Sequence, residues 1–200
     1  MDTKNRKDYD CEPTDTKSCD GWKLQTGTAI GEKSMNATVY IACRGINEKN
    51  CLYVLKLSQY KDRAIRVEHE VQMQNLCAEL GYCMPVEDWW IHLNNKDSYS
   101  SYSFGVIITR LLQESVQSFL IRNINNSDKS LKLIKDCLKF IYNLHQTGIY
   151  HGDSHLGNIM FDSENNLKFI DLDTAGTYAD LLISISSKID TVISKRNPDS

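Results

Sequence analysis

His151-Gly152-Asp153-Ser154-His155-Leu156-Gly157-Asn158-Ile159-Met160, followed by Phe169-Ile170-Asp171-Leu172-Asp173, is the stretch on which the fold turns. Asp153 and Asn158 are five residues apart, Asp153 and Asp171 eighteen. Between them lie an apolar run (159–161), a polar turn (162–166) and a second apolar run (167–170). That order predicts loop, strand, turn, strand: a hairpin that returns the chain to its start and brings Asp171 beside Asp153 and Asn158. Three oxygen-bearing side chains at one hairpin base suit Mg²⁺, a hard cation that takes carboxylate, carbonyl and phosphate oxygen. The plainer reading of the same residues is a polar turn with carboxylates placed by chance.

The segment resembles the catalytic loop and metal-binding motif of the protein-kinase-like superfamily, H-x-D-x-x-x-x-N followed by a hydrophobic-Asp signature. The resemblance implies an α+β, two-lobed kinase-like fold with a truncated, mainly helical C-lobe, and phosphoryl transfer that depends on ATP and Mg²⁺. It implies that Asp153 is catalytic and accepts the proton of the attacking hydroxyl. It implies that Asn158 and Asp171 hold Mg²⁺ on the nucleotide phosphates, and that Met160 lines the nucleotide site.

Upstream, residues 38–42 form a β-rich run preceded by Ile30-Gly31. Kinases place a glycine-rich turn here so that backbone N–H groups approach the phosphates. This copy is degenerate: Gly31 is the glycine that remains, and Ser34 and Ala37 stand where later ones would. In that register Ile30 and Val39 cover the adenine. Residues 51–57 read as a strand carrying Lys56, similar to V-A-I-K with Val54 in the alanine place. A helix is expected over 62–80. Counting from Glu70, its face holds Met73, Cys77 and Leu80; counting from Glu68 it holds Gln72, Asn75 and Glu79. Glu70 therefore points inward and Glu68 to water. The resemblance then makes Glu70 the partner that orients catalytic Lys56 onto the phosphates, against a plain alternative in which Glu70 rims an amphipathic helix. Lys56→Ala is expected to cost transfer with little loss of fold.

Gly81 and Pro85 stop that helix. Strands are expected near 84–93 and over 102–110, with a polar turn over 94–101. In the kinase register Thr109 is the gatekeeper, and Arg110-Leu111-Leu112 the hinge whose backbone bonds adenine. The lobe boundary falls there: 21–110 as N-lobe, 111–200 as minimal C-lobe, with 1–20 a polar, disordered leader. A short helix over 113–121 is followed by a longer one to about Gln146, capped by Ser127 or Asp128. The latter has an inward stripe of Ile134, Leu138, Ile141 and His145, widened by Leu131 and Leu144. His145 reads as a packed core histidine and His151 as scaffold. Beyond Asp171, Tyr178, Leu181, Leu182, Ile185, Ile189 and Val192 predict one closing amphipathic helix. No A-P-E motif follows, so the chain resembles the minimal kinases of some bacterial pathogens and large DNA viruses.

The remaining composition narrows the partners. A net charge of −3 offers no electrostatic footprint for nucleic acid. No apolar run reaches a membrane span, and no signal-peptide core opens the chain. Seven cysteines without a C-x-x-C pair read as reduced thiols, with no ligand spacing for zinc. The expectation is a monomer in the cytoplasm, or in the host cytoplasm for a virus or effector, with ATP and a protein substrate as partners.

Three departures bear on substrate. Gly152 replaces the arginine of H-R-D, so no cation answers a phosphorylated activation loop and activity should not depend on one. His155 stands where Ser/Thr kinases carry lysine; with Gly152 it makes the run closer to H-G-D-x-H-x-G-N of aminoglycoside- and choline-type phosphotransferases and atypical kinases. Leu172-Asp173 replaces Phe-Gly. The expected function is an atypical Ser/Thr protein kinase. The alternatives are a small-molecule phosphotransferase and a weakly active, pseudokinase-like binding module, which the degenerate glycine turn favours.

Overall fold

The computed structural model describes residues 21–30, 37–44, 51–61, 64–93 and 102–196. The leader 1–20, Gly31, Ser34 and the turn expected over 94–101 lie outside them. The protein is α+β. Its first half is an antiparallel sheet of β1 (Trp22–Ile30), β2 (Ala37–Arg44), β3 (Tyr53–Lys61), β4 (Val86–Leu93) and β5 (Tyr102–Arg110), in the order β1-β2-β3-β5-β4. Helix α1 (Ala64–Glu79) connects β3 to β4. The second half holds α2 (Val116–Arg122), α3 (Ser127–Gln146), β6 (Ile149–Tyr150), a 3-10 turn (Leu156–Asn158), the hairpin β7 (Ile159–Phe161) and β8 (Leu167–Phe169), β9 (Gly176–Thr177) and α4 (Tyr178–Arg196). No helix among the described residues is long and apolar enough to cross a membrane.

Register gives the sheet two unlike faces, because directly opposed residues of an antiparallel ladder point to the same side. Leu55 lies between Tyr40 and Ile108, and its face packs with Trp22, Ala42, Trp90 and Val106 into one core. On the other face, Ile30 is opposite Val39, Val39 opposite Lys56, and Lys56 opposite Ile107. Ile41, Val54 and Thr109 form the parallel row. Helix α1 covers the β4–β5 end of this face through Val67 and Val71 on Ile91 and Ile107. It approaches so closely that a Cβ on Gly105 would sit 2.1 Å from Val67 Cγ2. At the β1–β3 end of the same face, Ile30, Val39, Ile41 and Val54 are half-buried and lie beside α1's footprint.

A third core joins the halves: Met73 and Cys77 of α1, Cys83, Cys137 and Leu144 of α3, Ile159 of β7, Phe169 of β8, and Leu172. Phe169 N–H donates to Tyr82 O at 2.8 Å, and Lys168 Nζ to Gly81 O at 2.7 Å, so the β7–β8 hairpin is pinned beneath the end of α1.

Helix boundaries and faces depart from expectation in instructive ways. Helix α1 ends at Glu79, and Leu80, expected inward, is 45% exposed beside Gly81 at φ +84°. Helix α2 starts at Val116 because Ser115 caps it, accepting from Ser118 N–H. Helix α3 is capped by Asn126, not Ser127 or Asp128: its side chain accepts from Lys129 N–H at 3.1 Å. The buried face of α3 carries Leu133, Cys137, Phe140, Ile141 and Leu144, while Leu131, Ile134 and Leu138 are exposed. Apolar residues cover so much of this helix that spacing permits two phases. The aromatic contacts of Phe140, stacked on Phe169 at 4.6 Å and against Tyr82 at 5.3 Å, select the second. Helix α4 forms as expected, with Leu181, Leu182 and Ile185 of its stripe exposed. Cys43 and Cys51, expected as free thiols, form a disulfide that ties β2 to the segment just before β3; Cys77, Cys83 and Cys137 are free and buried. A spacing of eight residues carried no sign of that pairing, which hairpin geometry creates.

Candidate active site

Lys56 stands mid-strand on β3, facing the side of the sheet that α1 half covers. Its ammonium bonds two carboxylates from distant parts of the chain: Glu70 Oε1 at 2.6 Å, and Asp171 Oδ1. Glu70 is 1% exposed, so the helix phase read from its neighbours holds; Glu68 is half-buried. Burial alone would lower the Lys56 pKa, but Glu70 and Asp171 outweigh it and hold the ammonium above its ordinary range. Burial pushes the Glu70 carboxyl up, and Lys56 opposes that. The three groups form one electrostatic unit.

Asp171 reaches this unit from the hairpin. Ile170 N–H donates to Asn158 O at 3.0 Å, closing the base of β7 and β8. Asp171 then takes φ +62°, a left-handed conformation that costs a non-glycine residue about 1–2 kcal/mol. Such a residue persists only where its surroundings over-determine it. The carboxamide of Asn158 is directed by its Nδ2, which donates to Asp153 O at 3.1 Å and reaches Asp153 Oδ2 at 3.4 Å. Asp153 and Asp171 are partly open, at 58% and 43% side-chain exposure, while Asn158 is buried.

The loop is held by His151. The ring is fully buried; Nε2 donates to Ile170 O at 2.8 Å and Nδ1 accepts from Asp153 N–H at 3.3 Å. Burial lowers its pKa, so it is a neutral bridge between Asp153 and the strand before Asp171. His155 accepts from Gly157 N–H on Nδ1 at 3.0 Å, and its Nε2 lies 3.7 Å from Asp153 Oδ2. His145 makes an edge contact with Tyr178 at 6.0 Å.

The remaining expected residues divide. Ile30, Val39 and Val54 lie on the Lys56 face and are half-buried, as is Thr109 opposite Val54. Met160, also half-buried, bridges to Ser115, while Gln113 N–H donates to Phe161 O at 2.8 Å, so the segment after β5 is stitched to β7. Arg110 pairs with Tyr53, and its Nε lies 3.6 Å from Glu87 Oε1. The Leu111 N–H is not left for adenine: it donates to Leu52 O at 2.9 Å, because β5 continues its pairing with β3 one residue beyond the strand. Gly31 lies outside the described residues.

The donor set suits a hard cation. Asn158 turns its Nδ2 toward Asp153, which leaves an amide oxygen to join the Asp171 carboxylate, an all-oxygen pair of the kind Mg²⁺ accepts alongside phosphate and water. Among the described residues no cluster of three or more His, Cys, Asp or Glu stands ready to cage a metal. A cation here would take ligand oxygens as well as protein ones. Comparison with known proteins adds no relative: no family model matches the chain, and no curated protein matches it.

Three contributors were missed from sequence. Ile41 shares the aliphatic face with Val54. Thr174 Oγ1 donates to His151 O at 3.2 Å, and Thr174 O would lie 2.4 Å from a Cβ on Gly152, itself at φ +83°. His69 Nε2 donates to Ala175 O at 2.8 Å across 106 positions of sequence. Only for Ile41 was a signal present, in the strand alternation.

Proposed function

We propose that the chain is an ATP- and Mg²⁺-dependent phosphotransferase of two-lobed, protein-kinase-like architecture that acts on protein Ser/Thr hydroxyls. The observation that carries this reading is that Lys56 pairs with both Glu70 and Asp171, while Asn158, whose carbonyl bonds the residue before Asp171, pairs with Asp153. Phosphoryl transfer asks a protein for positioning and charge neutralisation more than for covalent chemistry, and these residues are suited to both. Lys56, held charged, would bind the α- and β-phosphates. The aliphatic face of Ile30, Val39, Ile41 and Val54 would take the adenine. Asp153, half open and tied to Asn158, would orient the acceptor hydroxyl and receive its proton. Mg²⁺, when bound through Asn158 and Asp171, would neutralise charge on the transferred group.

A second reading is transfer to a small hydroxylated molecule. It is favoured by Gly152, whose positive φ and contact with Thr174 exclude the arginine of H-R-D protein kinases. One experiment separates the possibilities: the pure protein with Mg²⁺ and γ-labelled ATP, with and without generic protein acceptors. Label in protein supports the first reading. Label only in a small acceptor supports the second. Nucleotide binding without transfer to anything leaves a binding module.

A further inference from the structure

We infer that His69 is a positioning residue that braces the segment after Asp171 from helix α1, and so helps hold the Asp171 carboxylate where Lys56 meets it. Its consequence for nucleotide chemistry rests on the phosphotransferase reading above; the brace itself does not.

Asp171 is one of two non-glycine residues at positive φ among those described, and something must keep it there. Before it, Ile170 is fixed by His151 and Asn158. After it, the chain drops Leu172 into the core, turns, and returns Ala175 N–H to Leu172 O at 3.1 Å. The Ala175 carbonyl then faces α1, where His69 Nε2 donates to it at 2.8 Å. One residue further, Gly176 pairs with Tyr150. Helix α1 therefore grips this segment twice. Glu70 acts through Lys56 on the Asp171 carboxylate, and His69 acts on the backbone four residues later. Because positions 69 and 70 are neighbours on one helix, a movement of α1 disturbs both grips together. Gly152 leaves no side chain to organise the segment from below, and Thr174 O occupies the space a Cβ there would need. The brace comes from the helix above instead, through a side chain that needs no added phosphate.

The test uses the full chain with His69→Phe, His69→Ala and His69→Gln, read by amide hydrogen exchange of 171–177, by the Mg²⁺ concentration needed for half-maximal ATP binding, and by Tm. Losing one half-buried hydrogen bond should cost up to about ten-fold in amide protection there. In the Phe and Ala variants, protection should fall by that factor and the Mg²⁺ requirement should rise several-fold. The Gln variant, which restores a donor, should recover both. Unchanged protection in Phe and Ala overturns the inference. So does failure of Gln to recover it, or a loss spread over the whole chain with lower Tm and no change in Mg²⁺ requirement. If the wild type binds no ATP, the phosphotransferase reading fails, while the exchange data still decide the role of His69.

Discussion

Lys56 of β3 and Glu70 of α1 meet at 2.6 Å with the carboxylate 1% exposed, so neither charge can be removed without leaving the other in a half-dry site. This revises the expectation that Lys56→Ala would cost transfer with little loss of fold. Lys56→Ala should abolish transfer and also destabilise the fold by about 3 kcal/mol at neutral pH, because it takes the nearest cation away from a buried carboxylate. Burial raises the Glu70 pKa above its unfolded value and Lys56 no longer opposes that, so the folded state binds more protons and stability should recover as pH falls through the raised pKa. Urea unfolding of Lys56→Ala at pH 7.5 and pH 5.5 checks the sign. Lys56→Ala with Glu70→Gln should recover stability but not transfer, and Glu68→Gln alone should be nearly silent.

Asp153 and Asp171 should separate turnover from binding. Asp171→Asn should weaken Mg²⁺-dependent ATP binding along with transfer, since it removes both the proposed metal ligand and a partner of Lys56. Asp153→Asn should leave ATP binding near the wild-type value and cut transfer by ~10²-fold or more, the scale of a positioned acid/base group. Calorimetric ATP binding beside a transfer assay measures both. Equal ATP-binding losses from the two variants would contradict these roles.

Placing an arginine at position 152, as in H-R-D, should harm this protein. Gly152 has φ +83°, and its Cβ would meet Thr174 O at 2.4 Å. Gly152→Arg and Gly152→Ala should each cost at least about 2 kcal/mol, from the left-handed conformation and the clash together. Thermal melts give the stability change, and a gain of transfer in Gly152→Arg would show that the segment after Asp171 can move aside.

His151 predicts a specific acid sensitivity. Its pKa is lowered by burial from the ordinary 6.5, so the unfolded chain binds the proton first as pH falls. The stability it contributes is complete above about pH 6.5 and is lost as pH drops from there through the lower folded value. His151→Gln should flatten the dependence of Tm on pH between about 7.5 and 5, whatever its effect on Tm itself. A parallel dependence in wild type and variant would assign the acid loss to other groups.

The hairpin, the strands β2 to β5 and the phase of α1 were legible because each rests on local pattern; β1 was not read as a strand. Apolar runs 159–161 and 167–170 flank a polar turn, and β7 and β8 formed there. Glu70 with Met73 and Cys77 defined one helical face, and all three are buried. The phase of α3 was not legible, because Ile134 and Leu138 compete with Leu133, Cys137 and Phe140 for the inward side. Propensity does not arbitrate between two apolar stripes; the fit of Phe140 against Phe169 does.

By itself, the sequence determined which residue types stand at which offsets: the carboxylates and carboxamide of the 151–171 stretch, a lysine on a strand, and a glutamate on the inward face of a helix. These depend on interactions within a few residues, where periodicity and turn chemistry act. Tertiary structure alone decided that Lys56 joins Glu70 to Asp171, that Leu111 N–H is spent on Leu52, that Cys43 bonds Cys51, and that His69 holds Ala175. Each is a contact between elements whose spacing along the chain carries no energy of its own. Their approach is set by how the sheet faces, α1 and the β7–β8 hairpin pack once apolar surface leaves water.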